Sequence, residues 1–206
     1  MRLRLWGVRV EISFVLVAVL TLVILFDSEL SVTACFAAVF IHEAGHLAAM
    51  RIFSSIPEEI RLSLFEFRIT DRGKHKRSTG AELIITLAGI IANLGAAVLT
   101  RLIWQITGWD FCDKLFCADI TLAVFNSLPV FTLDGGQALT MLLCRWLPGD
   151  RACLVMDIIS FSVLVPCALL GFLVLFDSGN NFSLLLTSGY LIALVILRNR
   201  KKRPEH

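Results

Sequence analysis

Three residues in the stretch VFIHEAGHLAA, Val39–Ala49, carry the chemistry most foreign to their surroundings: His42, Glu43 and His46. Two imidazoles and a carboxylate are costly in an apolar setting unless paired, bound to a metal or turned toward a watery cavity. On a helix, His42 and His46 lie four residues apart on one face, so a ring nitrogen from each can reach one zinc ion. Glu43 follows the first histidine, where a carboxylate can take a proton from an attacking water. H-E-x-x-H is the pattern of zinc peptidases. A pair of histidines binding neighbouring helices is the alternative, and it leaves Glu43 as an unexplained buried charge.

Two histidines and a water leave a tetrahedral zinc one ligand short. The candidate is Asp134, in FNSLPVFTLDGGQAL, Phe125–Leu139. Asp27 and Asp177 are expected at the outer face, and Asp157 lies in a long apolar helix with no break. A re-entrant turn after Pro129 would return Asp134 to the depth of the histidines, roughly 9–17 Å from the inner end of their helix at 1.5 Å per residue. Gly135 and Gly136 permit the tight backbone such a turn requires. From turn chemistry alone, LDGG reads equally well as a simple turn.

The elements that must position these residues are membrane helices. The 206-residue chain is 57% hydrophobic and 17% charged, with mean hydropathy +0.79, against about 45–50% and 25% in soluble domains. Its net charge of +2 is small, and its basic residues flank apolar runs, so nucleic acid is not expected as a partner. Six runs suit spanning helices: Val10–Phe26, Leu30–Phe53, Ala81–Trp104, Leu115–Leu128, Cys153–Phe176 and Phe182–Leu197. The fourth is short and ends in NSLP, as expected of a helix broken inside protein. Arg2, Arg4 and Arg9 place the N-terminus in the cytoplasm, and RNRKKR at Arg198–Arg203 places the C-terminus there too. Six spans satisfy both and put the basic loop Arg51–Gly80 inside; Arg101 is a lone exception near an outer end. The six cysteines read as small buried hydrophobes, although Cys112 and Cys117 share one short region and could pair on an oxidising side.

Together, HEAGH on an early membrane helix and NSLPVFTLDGG downstream resemble the site-2 protease family of intramembrane zinc metalloproteases, whose pattern is HExxH followed by N-x-x-P-x-x-x-L-D-G. LAGIIANLGAA, Leu87–Ala97, is similar to the small-residue segment of that family's third core helix, with Ile90 where proline often stands. The compact six-helix layout resembles the sporulation factor IVB branch, which implies a bacterial cell membrane and a membrane-tethered substrate. The resemblance assigns His42, His46 and Asp134 to zinc, Glu43 to catalysis and Asn126 to the neighbourhood of the substrate. It implies a single peptidase domain over residues 1–206, without PDZ or CBS domains, so control falls to a separate membrane partner or to the substrate.

Other features have two readings each. Asn126 and Asn93 are amides in apolar surroundings, suited to substrate hydrogen bonding or to holding helices together; the first fits Asn126 better and the second Asn93. Ala88, Gly89, Ala92 and Ala96 suit close helix packing. RLSLFEFRIT, Arg61–Thr70, alternates with the period of a strand, and could pair with an unfolded substrate segment or form a plain hairpin. The expected protein is therefore an all-α polytopic membrane peptidase with six spans and a short strand or hairpin between the second and third. The competing class is an inactive scaffold or metal-binding transporter, which has no need of Glu43.

Overall fold

The computed structural model describes residues 2–5, 8–13, 19, 21, 24–53, 59–62, 67–70, 77–178 and 183–202. These residues are predominantly helical, and they divide into two compact units, Met1–Val124 and Phe125–His206.

The first unit opens with a four-stranded sheet, β1 (Arg2–Leu5), β2 (Val8–Ile12), β3 (Glu59–Leu62) and β4 (Phe67–Thr70), in that spatial order. β1 and β2 pair antiparallel, β2 and β3 parallel, and β3 and β4 antiparallel, with Arg9 opposite Glu59 and Glu11 opposite Arg61. The predominantly helical class is as expected, and β1 and β2 are strands beyond that expectation. Of the expected first helix, Val10–Ile12 are strand and residues 24–26 are helical, while residues 14–18, 20, 22 and 23 lie outside the described residues. The stretch Arg61–Thr70, expected as a short strand or a hairpin, falls on the end of β3 and on β4, with residues 63–66 outside the described residues.

Among the described residues, three long helices of this unit are α1 (Ser31–Ile52), α2 (Thr79–Thr107) and α3 (Asp110–Ser127), the last ending just beyond its boundary. Leu30, the residue before α1, takes a left-handed conformation (φ 58°) and offers no side-chain cap. Asp27 supplies the cap instead, its Oδ2 accepting from the Thr33 amide at 2.6 Å and the Thr33 hydroxyl at 2.8 Å. Desolvation pushes the Asp27 carboxyl up, but donation from Thr33, Val32 and Ser31 outweighs it and holds the group below the usual carboxylate range. α2 is capped by the Ser78 hydroxyl, which accepts from the Ala81 amide, and it ends at Gly108 in the left-handed conformation that glycine tolerates best (φ 65°).

α1 packs through small side chains. Ala34 and Ala38 meet Leu115 in one cluster, and Ala49 and Met50 meet Ile85 in another. Such contacts suit helices in lipid, where association rests on close packing rather than on escape from water. Arg101, the exception to the charge rule, is paired with Asp113 of α3 at 3.1 Å, and its guanidinium lies 4.4 Å from the centre of the Trp104 ring. Cys112 and Cys117 both lie on α3 rather than in a loop. Five residues apart on one helix they point in different directions, and all six cysteines are free.

In the second unit, α4 (Asp134–Trp146), α5 (Gly149–Ser178, with Pro166 inside) and α6 (Ser183–Lys202) build a core of Val130, Leu133, Leu164, Leu191 and Val195. Among the described residues, three helices are long and apolar enough to cross a membrane: Ser31–Ile52, Thr79–Thr107 and Gly149–Phe176. They coincide with the second, third and fifth expected runs. Where the fourth was expected, α3 starts earlier and carries Asp110, Asp113, Lys114 and Asp119.

Candidate metal centre

His42 and His46 project from the middle of α1 and meet at their tips. Their Nε2 atoms are 3.2 Å apart and their rings stand nearly perpendicular, at 83°. His42 is buried, at 5% exposure, and His46 and Glu43 are half-buried.

The His46 ring is oriented from behind. Its Nδ1 donates to the Ile85 carbonyl of α2 at 2.8 Å. In the neutral ring that bond keeps the proton on Nδ1 and leaves a lone pair on Nε2, the arrangement common to metal-ligating histidines. Two Nε2 lone pairs at this separation repel unless a proton or a cation lies between them. At a Zn–N distance of about 2.0–2.1 Å, tetrahedral geometry sets two imidazole nitrogens about 3.3 Å apart, so the observed 3.2 Å fits the metal.

Space for the rings comes from Gly89 of α2. A β-carbon there would lie 2.5 Å from His46 Nε2 and 2.7 Å from His42 Nε2, closer than non-bonded atoms can approach. On the other helix, a β-carbon at Gly45 would lie 2.6 Å from the Ala88 carbonyl oxygen and 2.6 Å from the Ala92 β-carbon. The two helices therefore meet in sequence order: His46 on Ile85, both rings on Gly89, and Ala38 on Asn93, whose Nδ2 donates to the Ala38 carbonyl at 3.2 Å. Each step is four residues, about one helical turn, on both helices. The expectation that small residues on this helix serve close packing holds for Ala88 and Ala92, but Gly89 belongs to the site.

Asp134 and Asn126 belong to the second unit. Asn126 is half-buried in the last turn of α3, and Asp134 is the first residue of α4. A carboxylate in a helix's first turn faces unpaired amides and the positive end of the helix dipole. The preceding segment turns twice, with the Val130 amide on the Leu128 carbonyl at 2.7 Å and the Leu133 amide on the Val130 carbonyl at 2.8 Å. Ser160 of α5, fully buried, secures it by accepting from the Phe131 amide at 3.0 Å. Gly135 and Gly136 are not turn residues: both are helical, and the only positive-φ glycine among the described residues is Gly108. A β-carbon at Gly135 would collide with the Ser127 carbonyl, and one at Gly136 with the Val130 carbonyl. They let the start of α4 press against the segment that precedes it.

The chain aligns over its whole length, and over 96% of the other chain, with the site-2 protease from Methanocaldococcus jannaschii, at TM-score 0.64 and 21% identity. The two share a fold. No protein-family model matches the sequence, and no curated protein matches it.

Sequence reasoning missed Gly89 as a site residue, the Ile85 carbonyl, the Ser160 hydroxyl and Asp119, an acid buried in α3 that accepts from Asn93 at 3.1 Å. Asp119 had a signal, since a carboxyl within an apolar run needs a partner. The Ile85 carbonyl had none, because a backbone group is common to every residue.

Proposed function

We propose that the protein is an intramembrane zinc metalloprotease that cleaves a membrane-spanning or membrane-tethered segment of a substrate protein. The observation that carries the reading is the convergence of His42 and His46 Nε2 at 3.2 Å, with the His46 ring set by the Ile85 carbonyl. The site-2 protease fold supports it.

In this reading His42 and His46 hold zinc together with Asp134, a set of two nitrogens and one carboxylate oxygen that suits a catalytic site with one open position. Zinc supplies Lewis acidity toward water and the scissile carbonyl. Glu43 takes the proton of the attacking water and delivers it to the leaving amine. The amide of Asn126 hydrogen-bonds the unwound substrate backbone. A substrate helix must unwind first, because its peptide carbonyls are otherwise engaged in helical hydrogen bonds. The sheet offers an edge for such an extended segment to join.

The membrane arrangement proposed with it is a single peptidase domain of six spans in a bacterial cell membrane, with both termini and the loop Arg51–Gly80 in the cytoplasm, and regulation by a separate membrane partner. Cysteine labelling of intact cells is expected to reach a cysteine at Asn180 and to miss new ones at Lys76 and Arg203. Labelling at Lys76 from outside would reverse the orientation.

Purified protein incubated with a panel of single-span membrane peptides, with and without chelator, tests the activity. Cuts mapped by mass spectrometry within or beside the spanning segment, and lost with chelator, are the expected result. His46→Ala and Asp134→Ala should each lower zinc content as well as cleavage, because each removes one of only three protein ligands. Full zinc and full activity in Asp134→Ala would move the third ligand elsewhere.

A further inference from the structure

Asn93 and Asp119 form a fully buried polar pair that the proposed chemistry does not use. The Asn93 amide nitrogen has two hydrogens. One is donated to the Ala38 carbonyl at 3.2 Å and the other to Asp119 Oδ1 at 3.1 Å, and both side chains are 0% exposed. Three helices meet at this point: α1 through Ala38, α2 through Asn93 and α3 through Asp119.

Ala38 is four residues before His42, so its carbonyl is the helical acceptor for the His42 amide. A carbonyl oxygen has two lone pairs, and Asn93 takes the second. Asn93 thus grips the hydrogen bond that seats His42 on its helix. Asp119 fixes the orientation of that amide, because a flipped Asn93 would turn its oxygen toward two acceptors, the Ala38 carbonyl and the Asp119 carboxyl. On the far side of the histidines, the Ile85 carbonyl holds His46. The two anchors bracket the pair, with Gly89 between them.

We propose that Asn93 and Asp119 are positioning residues for His42: Asp119 orients the Asn93 amide, and the amide fixes the helical turn that carries the ring. The proposal rests on the reading of His42 as a metal ligand. A pair that only tied helices together would contribute to stability and leave metal binding alone, and this difference sets the test.

Cobalt(II) serves as the probe, titrated alone into the full-length protein in detergent against a competing chelator, with its visible ligand-field bands reporting coordination. Asp119→Val is expected to weaken cobalt affinity about tenfold, the low end for losing a supporting partner of a metal ligand, and to shift the bands. Asp119→Asn keeps a side-chain oxygen in place and should restore both. Thr100→Val deletes a buried hydroxyl about two turns along α2, where it donates to the Ala96 and Ala97 carbonyls, and should leave affinity unchanged. If Asp119→Val does not fold, Asn93→Gln carries the test, since it keeps the amide but displaces it by one methylene, and the same weakening is expected. A lowered unfolding temperature with unchanged cobalt affinity and bands would overturn the proposal. Failure of the unsubstituted protein to bind cobalt would instead overturn the metal reading beneath it.

Discussion

Glu43→Gln is expected to lower cleavage of a single-span substrate by about 10²–10⁴-fold, the range for a lost general base, while zinc content stays at the parent level. The substitution keeps the size of the side chain and removes only its capacity to take a proton. His42 and His46, on either side of it along α1, keep their mutual spacing, because that spacing is set by Ile85 and Gly89 of the neighbouring helix. Loss of activity with retained metal separates the base from the ligands. His46→Ala and Asp134→Ala should lose both together. A Glu43→Gln protein that cleaves at the parent rate would sink the mechanism in which Glu43 is the base, whereas a parent protein that holds zinc and cleaves nothing would favour a metal-holding scaffold or transporter.

The histidine pair was legible from sequence because its information is local: four residues on a helix are one turn whatever packs around them. The long apolar helices were legible for a similar reason, as composition over about 20 residues fixes a span without reference to its neighbours. What surrounds the histidines depends on which face of α2 meets α1. Ala88, Gly89, Ala92 and Ala96 offer more than one small-residue face, and spacing alone does not distinguish the glycine beneath the rings from alanines that merely pack.

Two misreadings have different causes. RLRLWGVRVEI, Arg2–Ile12, alternates with period two on both sides of Trp6 and Gly7, a hairpin signal, but its arginines also suit the inner end of a membrane helix and its valines the start of a span. The glycines of LDGG suggest a turn because glycine commonly supplies positive φ. Their actual use is close approach of backbone to backbone, which requires the same residue for a different reason and cannot be told from it without coordinates.

The contrast between Gly89 and Gly45 gives the second large effect. At Gly89 the atoms a methyl group would meet are the ends of two imidazole side chains, which can rotate away. Gly89→Ala should therefore fold, with unfolding temperature near the parent value, since alanine is favoured over glycine in a helix by about 0.5–1 kcal/mol. The His46 Nε2 atom must retreat from 2.5 Å to ordinary contact, a displacement of about 1 Å, enough to cost on the order of 10²-fold in activity. Zinc affinity should fall with it. At Gly45 the methyl group meets the Ala88 backbone carbonyl and the Ala92 β-carbon, neither of which can move unless the helices part. Gly45→Ala should then destabilise the fold by about 1–3 kcal/mol, as overpacking does. Thermal unfolding and zinc content measured on both variants distinguish the two roles. A Gly89→Ala protein that keeps full zinc and full cleavage would show that the rings do not depend on the space this glycine leaves, and would remove α2 from the account of the metal centre.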